Sequence, residues 1–122
     1  MISQIAPVFF TADLAGTLTY YGDKLGFACV GIYGDPPFYA IVAREGHAVH
    51  FRSVDATAVH PAKYAEELLD AYLLVDDVDA LYAEFAAKGV EFSRGLRDMP
   101  WGLREFVVKD CDGRLLAFGA EL

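Results

Sequence analysis

The strongest constraint on this chain is a repeat of plan. Asp13 and Gly26 stand thirteen residues apart, as do Asp76 and Gly89, and each pair brackets a stretch of helix length. An aspartate before a helix accepts hydrogen bonds from first-turn N–H groups, and a glycine after it supplies the left-handed backbone that ends the last turn. In the first stretch Leu14, Leu18, Tyr21 and Leu25 recur at helical steps. In the second, Asp76 or Asp77 is the cap, and Val78, Leu81, Phe85 and Ala86 are expected to face inward.

Each helix follows one strand-like run and precedes three. Residues 4–11 form the first run, with Pro7 suited to an early or edge position, and residues 27–33, 38–43 and 48–53 follow the first helix. Residues 70–75 open the second half, and 90–93, 103–109 and 114–119 close it, with 94–102 read as a loop and 110–113 as a turn. Two βαβββ modules, at about 4–53 and 69–119, are joined by a linker at 54–68 that holds Pro61 and a short helical turn after it. The fold class is α+β, in a single domain spanning 1–122.

At 122 residues the chain can bury roughly two-thirds of its unfolded surface, enough for a core but not for a core plus a large enclosed site. A net charge of −8 leaves no basic face for nucleic acid and favours neutral or cationic ligands. No apolar run reaches the roughly 18 residues of a membrane span, and Met-Ile-Ser-Gln-Ile lacks a basic leader, so a cytoplasmic protein is expected. Cys29 and Cys111 match no metal or redox spacing and are expected to be buried or semi-buried free thiols. Glu66, Glu67, Asp70, Asp76, Asp77, Asp79 and Glu84 fall in a segment without Lys or Arg, which is either a solvated face or a cleft that attracts a cation. The only tryptophan, Trp101, lies in a Pro-Trp-Gly loop, where it either caps a core or forms a pocket wall.

Several motifs resemble one family. Ala6-Pro-Val-Phe-Phe-Thr-Ala-Asp-Leu14 followed by Tyr21-Gly-Asp-Lys-Leu-Gly-Phe27 is similar to the opening strand and helix of bleomycin-resistance proteins. Glu45-Gly-His-Ala-Val-His-Phe51 resembles their fourth strand, and Arg104-Glu-Phe-Val-Val-Lys-Asp-Cys-Asp-Gly113 their Arg-Glu-Phe strand and Asp-Pro-x-Gly turn. With the duplicated βαβββ plan, these identify a member of the vicinal oxygen chelate superfamily, which includes glyoxalase I, extradiol dioxygenases and bleomycin-resistance proteins. The resemblance spans residues 4 to 119 and implies cupped mixed β-sheets and a homodimer, with modules that pair within a chain or swap across the dimer. Cys111 stands where the family turn has proline, so a softer turn is expected.

The superfamily's enzymes hold a divalent ion with a His or Glu from each of four inward strand positions. Carried onto this chain, these fall at about Ala6, His50, about Asp70, and Ala117. Two alanines leave the set incomplete, and no Ser/His/Asp or Cys/His constellation or phosphate loop replaces it. No metal, cofactor or catalytic residue is therefore expected.

The resemblance implies instead a binding protein that sequesters an antibiotic or similar planar aromatic ligand in grooves at a dimer interface. Tyr33, Phe38 and Trp101 match its groove aromatics, which favours the pocket-wall reading of Trp101. Tyr39, Tyr64, His50 and Asp70 complete the candidate ligand-binding set. The alternative is a metal-dependent lyase, isomerase or dioxygenase that keeps an ion through His50 and Asp70.

Overall fold

The computed structural model describes residues 1–122 as two compact units, 1–58 and 59–122. The first contains β1 (Val8–Thr11), α1 (Leu14–Asp23), β2 (Ala28–Tyr33), β3 (Tyr39–Arg44) and β4 (His47–Ser53). The second contains β5 (Ala71–Leu74), α2 (Val78–Ala87), β6 (Phe92–Asp98), β7 (Leu103–Lys109) and β8 (Leu115–Glu121). Each folds as a βαβββ module with a four-stranded mixed sheet, in the orders β1-β4-β3-β2 and β5-β8-β7-β6. The α+β reading and the duplicated plan are those of the sequence.

In each sheet the module's first strand runs parallel to its last, and the other neighbours are antiparallel. The crossover from first to second strand carries the helix. Asp13 caps α1 by accepting from Gly16 N at 3.0 Å, and Asp77 caps α2 by accepting from Ala80 N at the same distance. Past the helices, Gly26 at φ 74° and Gly89 at φ 73° turn the chain. Phe27 N then reaches the Tyr21 carbonyl at 2.9 Å, and Val90 N the Phe85 carbonyl at 3.1 Å.

Each helix covers one face of its own sheet. Tyr21 of α1 meets Phe51 of β4 edge-on at 4.8 Å between centroids, and a hydroxyl bond of 2.8 Å joins buried Thr11 to buried Thr17. Thr17 occupies the α1 face alongside Leu14 and Tyr21, whereas Leu18 is only half-buried. Phe85 of α2 packs edge-on against Phe106 and Phe118 at 5.9 and 5.3 Å, and those two rings stack at 5.2 Å. Each such ring pair contributes roughly 0.5–1.5 kcal/mol beyond the area it buries.

Several expectations need correction. Pairing of the first strand begins only at Pro7, whose carbonyl accepts from His50 N at 2.9 Å, so Ala6 precedes β1. β6 runs on to Asp98 through residues expected in a loop. Its Arg94, Gly95 and Arg97 hide the apolar pattern, and its register slips between Phe92 and Arg94 and again between Arg94 and Arg97. The expected short helical turn is a single bond, from Glu66 N to the Ala62 carbonyl at 2.9 Å, within the turns of 61–67; Ala86 is exposed, and β8 extends to Glu121. Both cysteines are exposed. The turn at Cys111 is well braced: Asp110 Oδ1 accepts from the backbone N–H groups of Asp112 and Arg114, each at 2.9 Å, while its Oδ2 meets Arg114 Nη1 at 2.8 Å. A buried carboxylate thus supplies the constraint expected of proline.

Candidate functional site

Strand alternation leaves each sheet a second face, opposite its helix, and the polar and aromatic candidates gather there. On the first unit's open face, β2, β3 and β4 contribute Tyr33, Tyr39 and His50. Tyr33 and Tyr39 are register partners with ring centroids 6.4 Å apart, and Tyr39 meets the His50 ring edge-on at 5.6 Å. The Tyr39 hydroxyl lies 2.7 Å from His50 Nδ1. Tyr33 lies back over Gly31, where a Cβ would come within 2.8 Å of the phenol oxygen. Phe38, at the end of this face, carries the Arg52 guanidinium 5.0 Å above its ring. Tyr33 and Phe38 are 50% and 47% exposed.

On the corresponding face of the second unit, where Val107 and Ala117 are fully buried, lies a carboxylate that sequence reasoning missed. Glu105 of β7 is only 2% exposed. Its Oε1 accepts from Arg94 Nη2 at 2.8 Å, and its Oε2 from the Tyr72 hydroxyl at 2.7 Å and the Trp101 indole N–H at 3.4 Å. Arg94 also forks onto Glu67, with Nε and Nη2 at 2.8 and 3.2 Å from its two oxygens. Burial alone would push the Glu105 carboxyl up, but hydrogen bonds from Tyr72, Arg94 and Trp101 outweigh it and hold the group below its ordinary range. Tyr72 is pushed up to about 12, first by burial and then by its bond to Glu105. The available signal was a charged residue at an inward position between Leu103 and Val107, with an arginine on the neighbouring strand.

The remaining candidates, Trp101, Tyr64 and Asp70, also belong to the second unit. Trp101 is 59% exposed, and its indole nitrogen is the atom that bonds Glu105. Tyr64 donates to the Gly113 carbonyl at 2.9 Å, and Lys109 Nζ stands 4.4 Å from its ring centroid. Asp70 is committed to structure, accepting from Leu115 N at 2.9 Å and pairing with Lys63 at 2.6 Å. The acidic run is thus more than a solvated face, since Glu67, Asp70 and Asp79 each take a basic partner.

A divalent ion does not fit the family positions. Ala6 and Ala117 offer no donor and Asp70 is engaged by an amide and an ammonium, which leaves His50 as the one protein ligand in the set. Nowhere do three or more His, Cys, Asp or Glu side chains converge as a metal site would require. No helix is long and apolar enough to cross a membrane.

Comparison with solved structures places this architecture among known ones. TioX from Micromonospora sp. ML1 superposes with a TM-score of 0.78 at 22% identity, covering 98% of this chain and 99% of that one. A glyoxalase-related enzyme from Clostridium phytofermentans gives 0.79 at 18% identity, covering 100% and 97%. The bleomycin-binding protein of bleomycin-producing Streptomyces verticillus, solved with copper(II)-bleomycin, gives 0.74 at 25% identity, covering 100% and 98%. No functionally curated protein matches the chain in sequence. The family model of the Glyoxalase/Bleomycin resistance protein/Dioxygenase superfamily matches residues 2–118, and the chain belongs to that superfamily.

Proposed function

We propose that this chain is a metal-independent binding protein that sequesters an antibiotic or similar planar aromatic natural product, protecting the cell that makes it. It works as a cytoplasmic homodimer with its ligand grooves at the interface. One observation carries the reading: Tyr33, Phe38 and Trp101 present exposed rings, while three of the four positions that would hold a catalytic ion are alanine or, at Asp70, already bonded. Tyr33, Phe38 and Tyr39 in the first unit and Trp101 in the second offer flat surfaces for stacking. The bleomycin-binding relative supports a ligand of this kind. The charge of −8 would speed capture of a basic drug at low salt.

Titration with metal-free bleomycin tests the proposal, because Trp101 is the only tryptophan and reports directly. Saturable quenching with a micromolar or tighter Kd is expected, and no change in Trp101 emission would overturn it. Sedimentation should give a dimer. Stoichiometric divalent metal in protein purified without chelators would overturn metal independence and favour the enzyme alternative.

A further inference from the structure

We infer that the Tyr39–His50 pair is a preset hydrogen-bond donor, and that the first unit's open face takes the acceptor-bearing part of an aromatic ligand: a carboxylate or carbonyl group attached to the ring. The inference rests on the aromatic-cleft reading above and names the ligand chemistry that this face selects.

A phenol is a strong donor and a neutral imidazole nitrogen a strong acceptor, so the 2.7 Å contact between the Tyr39 hydroxyl and Nδ1 is O–H to N. With Nδ1 accepting, the neutral ring carries its hydrogen on Nε2. That nitrogen has no hydrogen-bond partner within the protein, and His50 alternates with buried Phe51, so its side chain stands on the face away from α1. The edge-on packing of the two rings, with an interplanar angle of 89°, keeps the imidazole from swinging away.

The surroundings favour an acceptor. None of the four strands of this sheet contains Asp or Glu. Arg52 lies two residues along β4 on the same face, register partner of Tyr39, with its guanidinium over Phe38. A planar ligand stacked near Tyr33 and Phe38 therefore meets one N–H donor and one cation, and no carboxylate from this sheet competes. A donor-only cation finds no carboxylate on this sheet and meets Arg52 as a like charge. Tyr39 is a positioning residue here, because it acts through His50.

The test has two stages. Long-range 15N–1H correlation spectra of the free protein at pH 8 read the His50 tautomer directly. The Nε2–H form is expected, and Tyr39→Phe should relax it towards a mixture. Binding of 2-naphthoate, 2-naphthamide and 2-naphthylmethylammonium is then followed on the His50 and Trp101 resonances. The carboxylate and the amide should bind at least tenfold more tightly than the ammonium. His50→Phe should abolish that preference, and His50→Gln, whose amide N–H mimics Nε2, should restore much of it. An Nδ1–H tautomer in the free protein, or equal binding of all three probes, would overturn this inference and leave the aromatic cleft intact. Failure of every probe to shift either residue would overturn both.

Discussion

Arg94 reaches from β6 to β7 and sets Nη2 2.8 Å from Oε1 of Glu105, so that two charges meet with side chains only 10% and 2% exposed. Removing one partner from such a pair leaves the other buried and unmatched, which costs more than the pair itself contributes. Arg94→Met should lower unfolding stability by about 3 kcal/mol. Glu67→Gln, on the exposed side of the same guanidinium, should cost under about 1 kcal/mol. Urea denaturation of both variants reads the difference, and equal midpoints would refute the ranking.

The same carboxylate gives the protein an acid limb. Its folded pKa lies below the ordinary 4.5, so its pairing stabilises the fold fully above about pH 4.5 and is lost as pH falls through the lower folded value. Glu105→Gln should flatten the decline in stability below pH 4.5. At the other extreme, Tyr72 ionises at about 12 in the fold against 10.0 for a free phenol. Its contribution is complete below pH 10 and fades as pH rises through 12. Tyrosinate absorbance should show a late-titrating component that Tyr72→Phe reduces by one phenol.

Gly119 sits beneath that phenol: a Cβ there would collide with the Tyr72 hydroxyl and come within 3.3 Å of Glu105 Cβ. Gly119→Ala should push the phenol off the carboxylate and return the Tyr72 titration towards 10, with the absorbance titration as the readout. An unmoved late transition would show that the ring accommodates the methyl group.

Exposure predicts how Trp101 behaves on truncation. With 59% of its surface open, Trp101→Ala should change stability by less than about 1 kcal/mol while weakening bleomycin binding at least tenfold. Phe106→Ala, at a fully buried position, should instead cost about 3–5 kcal/mol. Thermal melts alongside the titration separate the two, and a loss of stability at Trp101 as large as that at Phe106 would make the tryptophan a core residue.

Capping gives a paired test of the repeat. Asp13→Ala and Asp77→Ala each remove an acceptor that serves an N–H at 3.0 Å, and each should cost about 1 kcal/mol. A negligible change at either position, read by chemical denaturation, would mean that water replaces the side chain.

What was legible in the sequence was periodic. Asp13, Gly26, Asp77 and Gly89 announce the two helices because capping is local chemistry, and the runs around Phe51, Phe106 and Phe118 announce strands because alternation is local too. The start of β6 was legible at 90–93 but its continuation to Asp98 was not, since Gly95 and the bulges at Arg94 break alternation, and only pairing with β7 makes that part a strand. Glu105 was hidden for a related reason. A carboxylate in an apolar strand becomes intelligible only when Arg94, Tyr72 and Trp101, distant along the chain or masked by irregular backbone, converge on it. The rings of Tyr33 and Tyr39 stand in strand-like runs that local sequence shows, but the Tyr39–His50 bond depends on a cross-strand diagonal that one strand's sequence does not encode.

The parallel pairing of β1 with β4, and of β5 with β8, has a kinetic consequence. Val8 must find His50, and Ala71 must find Leu116, each across some forty residues or more of intervening chain. The three antiparallel strands of each module can zip from short turns, whereas the leading strand gains no ladder bond until that long circuit has closed. Each module therefore has a clasp at its own beginning, the last piece to fasten during folding and the first to open under strain.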